Sequence, residues 1–150
     1  STEHQVWRFE NGLDPGVRVL GGEPAQAADA HASLRRGALV TDIIPDTIAD
    51  GLRAQLCART YAILRAHAVE VLLAGEDGIV AAMRLVWDRL KLVVEPSGAV
   101  ALAALIAGRE GVAGLRIGVI LSGGNVDLDR LPWQEPRFQR GLPPAAGGIA

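Results

Sequence analysis

The sequence predicts an α/β fold, a partial parallel sheet with flanking helices, and three observations predict it. Apolar stretches of strand length alternate with helical patterns, as in parallel strands joined by crossover helices. Ile79, Val80, Met83, Val86, Trp87 and Leu90 recur at helical spacing. Residues 115–121 (Leu-Arg-Ile-Gly-Val-Ile-Leu) are almost continuously apolar, as a strand covered on both faces would be.

In chain order, residues 1–16 are polar and mixed and close on Asp14-Pro15-Gly16, a turn signal. Residues 17–22 predict a short strand ending at glycines. Residues 26–36 predict an alanine-rich helix closed by Gly37. Residues 38–44 fit either a strand or an extended loop. Asp46 and Thr47 offer capping oxygens before a turn at Gly51. A helix is expected over 53–67 and a strand over 69–73. The helix that follows is the best supported, with Glu76 and Asp77 in its first turn, where the macrodipole favours anions. Pro96 breaks the chain, and 97–107 predict a nearly all-apolar, buried helix ended by Gly108. With 115–121 this makes three or four strands, few for a doubly wound sheet, and an apolar edge left unpaired is an aggregation hazard.

Composition excludes several classes. The 150 residues suffice for one compact core. A net charge of −2 gives no basic field for nucleic acid or an anionic membrane. No apolar run approaches the ~20 residues of a membrane span, and no signal peptide is visible at Ser1-Thr2-Glu3-His4-Gln5. A single cysteine, Cys57, rules out an internal disulfide and fits a reducing cytoplasm. There is one lysine, Lys91, against fourteen arginines, so Schiff-base chemistry must use Lys91 or a borrowed amine.

Four motifs carry possible chemistry. Leu121-Ser122-Gly123-Gly124-Asn125-Val126-Asp127 follows the apolar stretch, where open α/β sheets bind ligands at the carboxyl ends of strands. It also fits an ordinary glycine turn. Glu95, in Val94-Glu95-Pro96-Ser97-Gly98-Ala99, is either a buried site carboxylate or a dipole-stabilised charge. Glu23 and Asp29, with a carbonyl between them, offer oxygen ligands to a hard cation, or are two solvated charges at a helix start. In Asp46-Thr47-Ile48-Ala49-Asp50-Gly51, Gly51 permits close approach to a ligand or simply ends a capping turn. His4, His31, His67 and Cys57 show no ligand spacing and read as structural or solvated. No Walker A, GxGxxG or HExxH motif and no spacing-supported Ser-His-Asp set is present.

In this order, and with Leu85-Val86-Trp87-Asp88-Arg89-Leu90-Lys91 between them, these motifs resemble fold-type II (tryptophan synthase β-like) pyridoxal-phosphate enzymes. The subgroup is the serine/threonine dehydratases and serine racemases, and the resemblance runs from about Val17 to Leu131. It implies an atypical segment 1–16 and a partial large domain over 17–131, like the C-terminal half of that domain, while the Pro-, Gly- and Ala-rich composition of 132–150 predicts a flexible tail. It implies that Ser122 hydrogen-bonds the pyridine nitrogen of pyridoxal phosphate, that Glu95 lies near the ring, and that Gly51 faces the ring through its backbone. It implies a divalent-cation site (Mg, or else Mn or Ca) at Glu23, the Ala27 carbonyl and Asp29, and a nucleotide contact at Lys91 and Asn125 on a subunit interface.

The departures matter equally. The Schiff-base lysine in a Ser-x-Lys-x-Arg-Gly segment is absent, so no catalytic residue is assigned. The loops that hold substrate carboxylate and cofactor phosphate are absent too. The polar start suggests a truncation, a frame change or a replaced N-terminus, and the early end disfavours an allosteric biosynthetic threonine deaminase. The implied activity is ammonia-lyase β-elimination of serine or threonine to keto acid and ammonia, with the isolated chain inactive. Serine racemisation and 3-hydroxyaspartate dehydration are alternatives within the family. A non-catalytic cation-binding or dimerising remnant, a split-enzyme partner and a chain that does not fold alone are alternatives outside it. A homodimer or a complementing chain is the expected partner.

Overall fold

The computed structural model describes residues 17–134. The segment 1–16 and all but residues 132–134 of the predicted tail lie outside them. Two parallel strands, β1 (Leu20–Pro24) and β2 (Glu70–Ala74), form the sheet, in register from Leu20 opposite Glu70 to Pro24 opposite Ala74. Four α-helices accompany them: α1 (Asp29–Arg36), α2 (Ala58–Ala66), α3 (Glu76–Leu85) and α4 (Pro96–Ala107).

Side-chain alternation along β2 places the helices on two faces. Leu72 and Ala74 join the main core with α3 and α4. Val71 and Leu73 face the other way and share a cleft with His31 and Leu34 of α1. The core is built on Ile79, Ala82, Met83 and Val86 against Ala99, Val100, Ala103 and Ala104, and all eight are buried. Alanines on α4 allow close packing, and Gly22 extends this to the sheet: a β-carbon there would stand 2.8 Å from the Ala101 Cα. That is why the glycines sit within β1, whereas the sequence pattern over 17–22 predicts that they end it.

Several expected boundaries shift for identifiable reasons. The helix predicted over 26–36 is a 3-10 turn at Ala25–Ala27 followed by α1. Ala28 cannot cap α1, and Glu23 does so from β1, accepting the amides of Ala30 and His31 at 2.9 and 2.8 Å. Gly37 ends α1 with a left-handed φ of 73°, as its sequence signal requires. Residues 38–44 are loop. Residues 53–57 are not helical as predicted: Gln55 is bound through its side-chain amide to the carbonyls of Thr41 and Ile43, and the Leu56 amide donates to Asp29. The long periodic helix over 76–90 is α3 continued by a π-helical turn at Val86–Leu90, where Trp87 donates through Nε1 to the Val94 carbonyl at 2.9 Å. α4 begins with Pro96 in its first turn, where proline is tolerated. It is less buried than its composition predicts, with Ile106 47% exposed.

The largest correction concerns residues 115–121. They form no strand, and Leu115 and Ile120 are 59% and 83% exposed. A strand requires a ladder partner, and no described residue pairs with this stretch. The observed sheet therefore has two strands, not three or four. Among the described residues no helix is long and apolar enough to cross a membrane.

Candidate functional site

The predicted site residues fall into two groups joined at one helix end. The first lines a cavity of about 350 Å³ that includes Gly22, Glu23, Asp29, Gly51, Cys57 and Thr60. Glu23 enters from β1 with both carboxylate oxygens engaged by α1 amides. Asp29, the first residue of α1, is only 6% exposed and accepts the Leu56 amide at 2.6 Å. Burial raises the Glu23 carboxyl above its ordinary range, the negative Asp29 adds to this, and the His31 and Ala30 amides act against it. Ala27 is buried between them at the end of the 3-10 turn. Among the described residues, no group of three or more His, Cys, Asp or Glu side chains is placed to hold a metal ion. A cation here would rest on two carboxylates, a carbonyl and water.

The second group surrounds the start of α4. Glu95 precedes the helix, donates its amide to the Gly123 carbonyl at 3.2 Å and accepts the Asn125 amide on Oε2 at 2.8 Å. Gly123 has a φ of +77°, and a β-carbon there would overlap Glu95 Oε1, so only glycine satisfies both demands. Gly98 lies against the Ser122 carbonyl. Ser122 is exposed, and its hydroxyl makes no hydrogen bond among the described residues. Its donor and acceptor are therefore open to a heteroatom brought against the loop.

Ser97 links the groups. Its Oγ accepts the Gly51 amide at 3.0 Å, an amide shared with Asp50 Oδ1 at 2.8 Å. The Gly51 loop is also fixed from behind. Thr47 Oγ1 accepts the Ala49 amide, Arg53 donates twice to the Thr47 carbonyl, and Glu76 Oε2 accepts the Ile48 amide. The capping role expected of Asp46 and Thr47 is thus taken by Thr47 and Glu76.

Lys91 and Asn125 are both exposed. Lys91 holds a left-handed φ of 57° after the π-helical turn and lies 3.9 Å from Asp88. Asn125 is engaged through its backbone. Of the residues read as structural, His31 donates through Nδ1 to the Val71 carbonyl at 2.8 Å, and Cys57 is an exposed free thiol. Hydrogen bonding by Thr60, side chain first, holds that thiol below its ordinary range. His4 lies outside the described residues. The sequence reading missed a role for Ser97, although a hydroxyl in the first turn of a helix was the available signal.

A pyridoxal-phosphate dependent enzyme family matches residues 6–123. The chain is 46% identical over 121 residues to a β-hydroxyaspartate dehydratase of Paracoccus denitrificans (strain Pd 1222), covering 81% of this chain and 38% of that protein. The maize serine racemase structure superposes with a TM-score of 0.71 at 39% identity, covering 77% of this chain and 36% of that one. The processed form of threonine deaminase isoform 2 from Solanum lycopersicum gives a TM-score of 0.71 at 33% identity, covering 78% of this chain and 33% of that one. The chain therefore spans between 33% and 38% of the length of these relatives.

Proposed function

This chain belongs to the pyridoxal-phosphate dependent enzyme family, and from that premise we propose that it is the C-terminal part of the large domain of a hydroxy-amino-acid ammonia-lyase. The proposed reaction is β-elimination from serine or threonine, giving a keto acid and ammonia. The supporting observation is the pairing of Gly51 and the Ser122 loop on either side of one helical turn, with the Ser122 hydroxyl unengaged among the described residues. A second reading, 3-hydroxyaspartate as the substrate, is favoured by the likeness to the Paracoccus denitrificans dehydratase.

When bound, pyridoxal phosphate supplies an electron sink for the substrate's α-carbon. In this reading the Ser122 hydroxyl binds the pyridine nitrogen. A neutral hydroxyl does not hold that nitrogen protonated as a carboxylate would, so it moderates the sink. Gly51, with no side chain to intervene, would let its backbone face the ring. Glu95 would lie near the ring, and it fixes the loop that presents Ser122. Glu23, the Ala27 carbonyl and Asp29 would hold a divalent cation, Mg, Mn or Ca, whose charge would offset the burial that disfavours the ionised Glu23 carboxylate. Lys91 and Asn125 contact a nucleotide at a subunit interface. A homodimer or a complementing chain completes the site in the cytoplasm.

The reaction would need the lysine of the Ser-x-Lys-x-Arg-Gly segment as Schiff base, and often as base, and Lys91 is the only lysine of the chain. Lys91 is exposed beyond the π-helical turn, which supports the reading that the isolated chain is inactive. The test is keto-acid release from serine, threonine and 3-hydroxyaspartate, with pyridoxal phosphate and magnesium present. The expected result is no release by the chain alone and release on adding a polypeptide that carries the Ser-x-Lys-x-Arg-Gly segment. Turnover by the purified chain alone overturns the reading of inactivity. Absence of turnover in the reconstituted mixture overturns the ammonia-lyase reading.

A further inference from the structure

We propose that the first turn of α4 is a two-sided clamp, and that Ser97 is a positioning residue that sets the spacing between the Gly51 loop and the Ser122–Asn125 loop. The inference deepens the functional reading above and depends on it only for what the slot holds.

On one side, Ser97 Oγ accepts the Gly51 amide at 3.0 Å and reaches Asp50 Oδ1 at 3.5 Å, while Asp50 Oδ1 accepts the same Gly51 amide at 2.8 Å. Three groups thus close on one another, and the Gly51 backbone has one favoured depth against the helix. A β-carbon on Gly51 would meet Ser97 Oγ at 3.0 Å, so the loop is seated as near as a residue without a side chain permits. On the other side, Glu95 donates its amide to Gly123 and accepts the Asn125 amide, and Gly98 bears on the Ser122 carbonyl.

The two sides are mechanically one. Pro96 lies between Glu95 and Ser97 and restricts φ, so the arms cannot swing apart independently. The Ala99 amide closes onto the Glu95 carbonyl at 3.1 Å, the first bond of the helix. Gly98, Ala99 and Val100 are buried and anchor the turn in the core. Two loops far apart in sequence therefore share one rigid mount, and displacement of one is transmitted to the other.

Amide hydrogen exchange on the full 150-residue chain, read by NMR without added cofactor, tests this. Ser97→Ala is expected to speed exchange about tenfold at Gly51 and severalfold at Asn125, with the Ile79 and Val100 amides unchanged. Ser97→Thr keeps the hydroxyl and is expected to restore both. Faster exchange at Gly51 with no change at Asn125 overturns the clamp, because the loops are then held separately. Should Ser97→Ala also release the core amides, Glu95→Ala, which removes the acceptor of the Asn125 amide, is read in reverse: faster exchange at Gly51 supports the clamp, and an unchanged Gly51 overturns it. Since no cofactor is present, failure of the clamp and failure of the pyridoxal-phosphate reading are separate results.

Discussion

Gly98 lies beneath the backbone carbonyl of Ser122, so close that a β-carbon on it would overlap that oxygen. Glycine to alanine in a helix ordinarily gains about 1 kcal/mol. Here the obstacle is backbone, which cannot rotate away, and overpacking of this kind costs about 1–3 kcal/mol. The overlap wins, so Gly98→Ala is expected to lower the urea midpoint and shift the Gly123 and Asn125 amide resonances. A raised midpoint would show that the loop does not rest on α4.

Trp133 stands edge-on to Trp87 with ring centroids 5.5 Å apart and planes at 80°. It packs with the buried Leu131 on the α3–α4 core, although 132–134 belonged to the expected flexible tail. Such a pair contributes about 0.5–1.5 kcal/mol beyond its buried area. Trp133→Ala is expected to lower unfolding free energy by about 1–2 kcal/mol in urea titration. A loss below about 0.5 kcal/mol, the range of ordinary surface changes, would mean Trp133 is not docked.

Local signals explain what was legible in the sequence. The periodicity of Ile79, Met83 and Val86 located α3, Gly37 marked the end of α1, and Pro96 marked the start of α4, because each acts within a turn or two. Non-local causes were not legible. Residues 53–57 stay out of the helix, with Asp29 taking the Leu56 amide, and no pattern within 53–57 encodes that. Residues 115–121 have strand composition, but strand formation depends on a neighbour elsewhere in the chain or in another one. At the site, the motifs marked Ser122, Glu95 and Gly51 separately. Their connection through Ser97 required the fold, since Gly51 and Ser97 lie 46 residues apart.

Ile120 is 83% exposed, with Leu115 and Ile117 also exposed on the same extended stretch. An apolar segment of this length with no ladder partner among the described residues invites pairing with another chain. Ile120→Lys is expected to reduce concentration-dependent association in sedimentation velocity. Its effect on unfolding free energy should stay within about 0.5 kcal/mol, as for other exposed positions. Association unchanged by the lysine would place the sticky surface elsewhere.

The proposed cation site carries its own pH signature. Burial, with the Asp29 charge adding, raises the Glu23 carboxyl above the ordinary range. Between the unfolded and folded values the folded chain then binds more protons than the unfolded one. Without a cation, the Glu23 contribution to stability is fully present below the unfolded value and is lost as pH rises through the folded one. A cation needs the ionised carboxylate and reverses this disadvantage. Magnesium is therefore expected to raise the melting temperature more at neutral than at mildly acidic pH. Glu23→Gln should remove most of that gain, and so should Asp29→Asn, which keeps an oxygen for the Leu56 amide. A magnesium effect that is independent of pH, or that survives both substitutions, places the cation away from Glu23 and Asp29.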